Sequence, residues 1–177
     1  MSENQGNEQK QFQTARLFVK QQRFESDTPA VFKELETQVT KAKEEKKEIK
    51  PDNRLELKID LHDLEEKNLH EVVLTLKLTA KADTLELYTA EVSQAGIFVM
   101  NHYSKEERET ILNGYAASVL YPYATQILMT MIQQGGFLVQ PLPPVNFDAL
   151  YQQKKKQAES KNKAADEFTQ VKEEFIH

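Results

Sequence analysis

Hydrophobic and polar residues alternate along three neighbouring stretches in the middle of the chain. In residues 54–63 the aliphatic positions are every second residue, namely Leu55, Leu57, Ile59 and Leu61. The same period recurs in residues 69–80 and 84–100, where Gln94–Gly96 interrupts the last run and predicts a bulge or tight bend. A period of two places alternate side chains on opposite faces of a strand. The pattern therefore predicts an antiparallel meander with one aliphatic face.

Two further elements precede this meander. Residues 11–25 alternate partly and predict a strand that joins the sheet as its fourth member. A cap candidate followed by Pro29 predicts the start of a helix, and its apolar residues have helical spacing: Val31, Phe32, Leu35 and Val39. We expect this helix to fade into residues 41–53, a run of mixed charge that forms a solvated linker or a frayed helix.

Helices are expected after the sheet. Ser104, with Glu107 three residues later, fits a capping box and predicts a short helix that Asn113-Gly114 ends. A second helix is predicted over residues 119–134. The fold class that follows is α+β, a four-stranded antiparallel sheet with two main C-terminal helices packed on it.

The segment after the second helix is irregular by composition. Residues 136–145 contain three prolines, which remove hydrogen-bond donors and restrict φ, so neither a regular helix nor a central strand fits. Asn146 is the expected cap of a last helix. With 177 residues the chain predicts one domain, residues 11–153, between a disordered N-terminus (1–10) and a charged C-terminal tail (154–177).

No charged residue occurs among the 38 residues from 110 to 147, although the rest of the chain is heavily charged. A helix that covers a sheet in a monomer normally carries charge on its far side, and the predicted helix 119–134 carries none. We therefore expect burial on two sides, against the sheet and against another subunit. The candidate subunit contacts are Val119, Tyr123, Ile127 and Met131.

The proline-rich segment and the aliphatic sheet face suggest a binding groove. Contiguous apolar surface on a soluble chain usually marks a contact site. The predicted groove residues are Leu57, Ile59, Leu61, Phe137, Leu142, Val145, Phe147 and Tyr151. The pattern leaves open whether these residues line a groove or form an ordinary core.

Composition narrows the classes of function. The chain has no cysteine, which excludes disulfides and thiol chemistry, and its four histidines are not spaced as metal ligands. It has neither a phosphate-binding glycine loop nor a nucleophile elbow. The prediction is therefore a protein without catalytic residues, metal or cofactor.

Charge and hydropathy also bear on partners and location. A net charge of −5 disfavours nucleic acid and favours a basic protein partner. The polar N-terminus does not resemble a signal peptide, and no apolar run is long enough for a membrane span. We expect a cytoplasmic protein without direct membrane insertion.

Three sequence blocks resemble the SecB family of protein-export chaperones: EVSQAGIF (91–98), LYPYA (120–124) and PPVNFDALY (143–151). The order of strands followed by two helices is similar too. The resemblance implies an α+β protomer and a homotetramer built as a dimer of dimers. It also implies an ATP-independent holdase that binds unfolded preproteins and passes them to the motor SecA.

The resemblance implies particular residues as well. The acidic positions that contact SecA match Glu25 and Glu91, with Thr89 beside them, whereas a third acidic position is Gln21 here. The segment at 33–53 is longer and more charged than is typical of the family. Two alternatives stay open: a SecB-like chaperone serving a toxin–antitoxin system, and an α+β protein that encloses a small hydrophobic ligand in a closed cavity.

Overall fold

The computed structural model describes residues 9–66 and 68–158. The strands are β1 (Gln11–Glu25), β2 (Pro51–Asp63), β3 (Leu69–Ala82) and β4 (Leu85–Asn101). The helices are α1 (Thr28–Glu45), α2 (Lys105–Ile111), α3 (Ala117–Gln134) and α4 (147–158). The expected disorder before residue 9 and the expected tail beyond residue 158 lie outside the described residues. Residues 154–158 continue α4.

The four strands form one antiparallel sheet in the order β1-β4-β3-β2. This confirms the α+β prediction, including the meander of β2 to β4 and the placement of β1 as the fourth strand. The predicted bulge near Gly96 is wrong in its position, because Gly96 pairs with Leu17 and the register between β1 and β4 shifts in β1, beside Thr14 and Val19. A further register shift lies between β3 and β4, at Ala80 and Lys81. A Cβ on Gly96 would lie 2.8 Å from the Phe98 ring. Glycine is therefore needed for close packing rather than for a bend.

The hydrophobic core lies between the sheet and α3. Helix α3 packs on β3 and β4, and its buried residues follow one helical stripe: Ala117, Leu120, Ala124, Leu128 and Ile132. They meet the buried face of the two central strands, which includes Leu74, Leu76, Ala90, Val92 and Phe98. Helix α3 does not cover the edge strand β2, so the apolar residues of β2 stay half-buried.

The prediction that Asn113-Gly114 ends a helix is wrong. The backbone stays helical from α2 through a π turn (Leu112–Ala116) into α3. The Asn113 side chain supports the helix, because its Nδ2 donates to the Glu109 carbonyl at 2.8 Å. Gly114 allows α4 to come close, since a Cβ there would clash with the Asp148 carboxylate. Glycine at this position allows α4 to pack closely and does not end the helix.

Helix α1 is longer than predicted. It continues as regular helix to Glu45, through residues expected to be a solvated linker or a frayed helix, and its cap Lys46 has a left-handed backbone with φ of 53°. The Lys47 N–H donates to the Ala42 carbonyl at 2.9 Å, which completes a Schellman-type end. Lysine and glutamate are good helix formers, so the charged run extends the helix in solvent.

Candidate binding groove

A cavity of about 640 Å³ lies on the helix-bearing side of the sheet. Its floor comes from the sheet residues Leu55, Leu78, Ala80 and Tyr88, and one wall comes from Leu128, Met129 and Ile132 of α3. Residues 136–143 form the opposite rim, and α1 with its following linker contributes Phe32, Leu35 and Ile49. Nearly all these side chains are apolar, so the cavity suits apolar side chains of a partner.

An aromatic cluster anchors one end of this groove. Phe137 is only 8% exposed, and its ring centre lies 4.8 Å from that of Tyr88 and 5.1 Å from that of Phe32. Phe24 of β1 lies 6.3 Å from the same ring. Burial raises the pKa of the Tyr88 phenol. The cluster therefore fixes the start of the rim, directly after α3, against the sheet.

The groove opens to solvent along its rim. Leu138 lines the cavity yet is 96% exposed, and Gln140, Pro141 and Pro143 are exposed as well. A fully exposed leucine at the mouth of an apolar cavity leaves apolar surface for a partner to cover. An open groove is the arrangement expected for a polypeptide, whereas a small-ligand protein was expected to enclose its cavity.

The predicted groove residues fall into three groups. Phe137 and Leu142 line the cavity. Val145 and Tyr151 are half-buried outside its lining, and Phe147, at 1% exposed, belongs to the core. The structure therefore brings only two of these five residues to the cavity itself.

The other three predicted groove residues lie on β2. Leu57, Ile59 and Leu61 continue the aliphatic row that begins with Leu55 in the cavity, and all are half-buried. At ~3.3 Å per residue, the row from Leu55 to Leu61 extends for about 20 Å. They form a shallow apolar strip that leads away from the cavity floor.

The sequence reasoning missed the contribution of α1. The spacing of Val31, Phe32 and Leu35 did indicate an apolar helix face. Nothing in that spacing shows which surface the face contacts, because the partner residues lie far along the chain in β4 and in the rim after α3. Ile49 was missed because it stands alone in a charged run.

A smaller polar cleft, about 330 Å³, lies at the far end of the β2 row. His70 is buried there, with its Nδ1 2.8 Å from the Asp63 carboxylate, and its Nε2 has no hydrogen-bond partner within the described ranges. Over those same ranges, no group of three or more metal-ligating side chains occurs. The cleft therefore differs in chemistry from the apolar groove.

The residues predicted to contact SecA lie on the opposite face of the sheet. Their neighbours Phe24, Ala90 and Val92 pack in the core, so Glu25, Thr89 and Glu91 point away from it. Glu25 pairs with Thr89 across β1 and β4. The structure thus brings these three side chains together on two adjacent strands.

This face carries both signs of charge. Glu91 lies in register between Arg23 of β1 and Lys77 of β3. The Arg23 guanidinium donates to the Glu25 carboxylate at 2.5 Å. The carboxylates of this face therefore alternate with cations across the strands.

The four predicted subunit contacts follow one side of α3 at every fourth position. Val119, Ile127 and Met131 are half-buried against the core, whereas Tyr123 is 48% exposed. Close by, Pro122, Gln126, Thr130 and Gln133 present an uncharged surface to solvent. The far side of α3 is thus free of charge, as the sequence indicated.

The architecture defines the class of protein. It is an α+β protein whose antiparallel sheet carries both its helices and an open apolar groove on one face. The same fold occurs in the SecB-like chaperone of Mycobacterium tuberculosis, solved in complex with a ChAD peptide from the HigA1 antitoxin. The two structures superpose with a TM-score of 0.58 at 12% identity, over 76% of this chain and 91% of that one.

Sequence comparison then gives the family. A family model described as preprotein translocase subunit SecB matches residues 5–158. The protein-export protein SecB of Nitrosococcus oceani is 36% identical over 154 residues, covering 86% of this chain and 87% of its own. The protein-export protein SecB 1 of Francisella tularensis is 36% identical over 153 residues, covering 85% and 95%. The chain belongs to the SecB family, and it is a chaperone of the protein-export type.

No helix within residues 9–66 and 68–158 is both long and apolar enough to cross a bilayer.

Proposed function

We propose that this protein is an ATP-independent holdase, which binds unfolded preproteins in the groove and delivers them to SecA. The observation that carries the proposal is the open apolar groove with Leu138 exposed at its mouth, in a chain of the SecB family. The proposal includes a cytoplasmic homotetramer, arranged as a dimer of dimers.

Physical considerations support a holdase. Burying apolar side chains of a client yields ~25 cal/mol per Å², with little demand on its sequence. The β2 row extends the apolar surface beyond the cavity, so an extended client makes many weak contacts along it. Met129 in the cavity wall is a flexible side chain that adapts to different clients.

The rim leucine provides the sharpest test of this proposal. Leu138→Ser removes apolar surface from the groove without disturbing the core, because the residue is already in solvent. Full burial of a leucine against a client is worth ~1.5–3 kcal/mol. We expect the variant to bind an unfolded preprotein about tenfold or more weakly, as measured by suppression of its aggregation without ATP.

Gln140→Ser is the matched control, since Gln140 is an exposed polar residue of the same rim. It should leave the holding of preprotein unchanged. Equal holding by the Leu138→Ser variant and the wild-type protein would show that clients bind elsewhere.

A second candidate is a SecB-like chaperone that serves a toxin–antitoxin system. It is favoured by the M. tuberculosis structure, which contains an antitoxin peptide. The relatives named for protein export are three times as similar in sequence, 36% against 12%, so export is the first proposal. If the protein bound a peptide from an antitoxin and did not bind SecA, the toxin–antitoxin function would replace export as the first proposal.

A further inference from the structure

The helical layer on the sheet is incomplete over the edge strand β2. Helix α3 packs mainly on β3 and β4, so the apolar residues of the β2 row, Leu57, Ile59 and Leu61, stay half-buried. From Leu55 to Leu61 the row extends for about 20 Å at ~3.3 Å per residue. This uncovered row is therefore long enough to carry one further short helix.

The chain beyond α4 contains a segment with the pattern of such a helix. Residues 159–177 follow the part of the chain that the SecB family model matches. Apolar residues recur there at intervals of four, three and four positions, namely Ala164, Phe168, Val171 and Phe175. This spacing places them on one helical face, and Asp166 and Glu173 on the opposite face. At ~1.5 Å per residue, residues 164–177 would form a helix about 21 Å long, the length of the β2 row.

Helix α4 ends close to the β2 row. The Lys155 Nζ donates to the Glu106 carboxylate at 2.9 Å, so the last described turn of α4 lies against the first turn of α2. The neighbouring residue Lys105 lines the polar cleft together with Leu61, the last residue of the row. About one helix diameter, ~10–12 Å, therefore separates the end of α4 from the row. Residues 159–163 are long enough to cross it, since five extended residues span about 17 Å.

We propose that residues 164–177, the tail segment, dock as an amphipathic helix on the β2 row of the same chain. The apolar face of the tail segment covers Leu57, Ile59 and Leu61, much as α3 covers β3 and β4. This docking has a consequence for clients that rests on the proposed function. A client must displace the tail segment before it reaches the row, so the tail segment weakens client binding.

A disulfide bond tests the docking directly, because the chain has no cysteine of its own. The full chain with Ile59→Cys and Val171→Cys carries one thiol at the middle of the row and one at the middle of the apolar face. Disulfides form only where the two Cα atoms approach within about 7 Å. We expect mild oxidation to remove both free thiols while the chain still migrates as a monomer on a denaturing, non-reducing gel.

Lys58→Cys with Val171→Cys is the matched control. Lys58 is adjacent to Ile59 in β2, but its side chain points to the opposite face of the sheet and is more exposed. Random collisions would therefore favour the control pair, whereas docking favours the Ile59 pair. The control should keep its free thiols.

A second measurement addresses the effect on clients. Phe168→Ser with Phe175→Ser removes most of the apolar face and opens the row. A row that is covered for half to nine-tenths of the time binds clients about two- to tenfold more weakly. The Kd for an unfolded preprotein should therefore fall by that factor in the double variant. Thr169→Ser with Gln170→Ser lies off the apolar face and should keep the wild-type Kd.

Several results would overturn the proposal. Equal disulfide formation by the two cysteine pairs, or none by either, would exclude docking on the row. A disulfide between two chains, seen as a dimer on the gel, would assign the tail segment to the row of another subunit. An intrachain disulfide with an unchanged Kd would exclude the effect on clients. If no form of the protein held preprotein, the proposed function would fail, whereas the disulfide would still decide the docking.

Discussion

Two carboxylates in the first turn of α2 connect both ends of the described chain to the helical layer. Glu107 accepts from Lys10, just before β1, at 2.5 Å, and Glu106 accepts from Lys155 of α4 at 2.9 Å. Glu107 also completes the capping box with Ser104. The capping box was predictable from spacing alone, since it joins residues three apart. The partners Lys10 and Lys155 were not, because chain topology brings them together.

The pH dependence of stability tests the Glu107 contacts. The Lys10 hydrogen bond, followed by those from Ser104, lowers the pKa of Glu107 from 4.5 to about 2. A carboxyl with a depressed folded pKa stabilises above its unfolded pKa and loses that contribution as pH falls toward the folded value. We expect Glu107→Gln to lose less stability than wild type between pH 4.5 and 2, measured by urea unfolding.

Glutamine preserves the capping geometry, so the comparison isolates the charge. Glu109→Gln on the same helix is the control, because the Glu109 carboxylate pairs with no described residue. Identical pH profiles for wild type and Glu107→Gln would contradict the assignment.

At the scale of elements, the sequence predicted what local periodicity determines. The four strands and α3 have periods that reveal a buried face, and the structure confirms them. The end of α1 was placed too early because Lys46, rather than glycine, occupies its left-handed position. The α2 end was also misplaced, because Gly114 is used for contact with α4. In both cases the residue type alone did not identify its backbone role.

The end of α1 can be tested directly. A left-handed conformation costs a non-glycine residue ~1–2 kcal/mol, partly offset by the ~0.5–1 kcal/mol entropic cost of glycine. Lys46→Gly should therefore stabilise the last turn of α1 by about 0.5 kcal/mol, seen as slower hydrogen exchange at residues 42–45. Lys47→Gly has no positive φ to relieve and should not slow exchange. Faster exchange in Lys46→Gly would contradict this account.

At the scale of the whole molecule, the groove was only partly predictable. Phe137 and Leu142 could be identified because prolines hold their segment in an irregular, apolar conformation. The floor was placed too far along β2, since the sequence does not show that α3 packs mainly on β3 and β4 and leaves β2 uncovered. Periodicity specifies which face of a strand is apolar, whereas the crossing of a helix decides which part of that face remains open.

The proposed tetramer has its test in the uncharged side of α3. Tyr123→Lys adds a charge to an exposed position where a subunit contact would bury it, which costs several kcal/mol without a partner. We expect a sedimentation mass of four protomers for wild type and a smaller assembly for this variant. Gln153→Lys, exposed on α4, should keep the wild-type mass. A wild-type mass of one protomer would refute the tetramer.

The proposed SecA contact depends on the outer face of the sheet. Glu91→Lys would place a third cation in register between Arg23 and Lys77, so SecA binding should fall sharply while client holding survives. Glu91→Gln should give a smaller loss, and Glu25→Lys also less than Glu91→Lys. Binding by wild type should weaken with salt, since the Debye length is ~10 Å at 0.1 M.

Glu56→Lys is a control for this face, because Glu56 lies on the far strand β2, opposite Lys77. Unchanged affinity of Glu91→Lys for SecA at low salt would refute the contact. Loss of client holding in that variant would instead assign Glu91 to the stability of the sheet.

The uncharged stretch of residues 110–147 has a consequence for the folding of the protein during its synthesis. Translation is vectorial, and the segments of all four strands leave the ribosome before this stretch does. Its docking surface is therefore already synthesised when the segment emerges. In a nascent chain the same segment has the apolar, uncharged composition of the clients that we propose this protein holds. The order of elements along the chain thus shortens the time for which this segment is exposed without its docking surface.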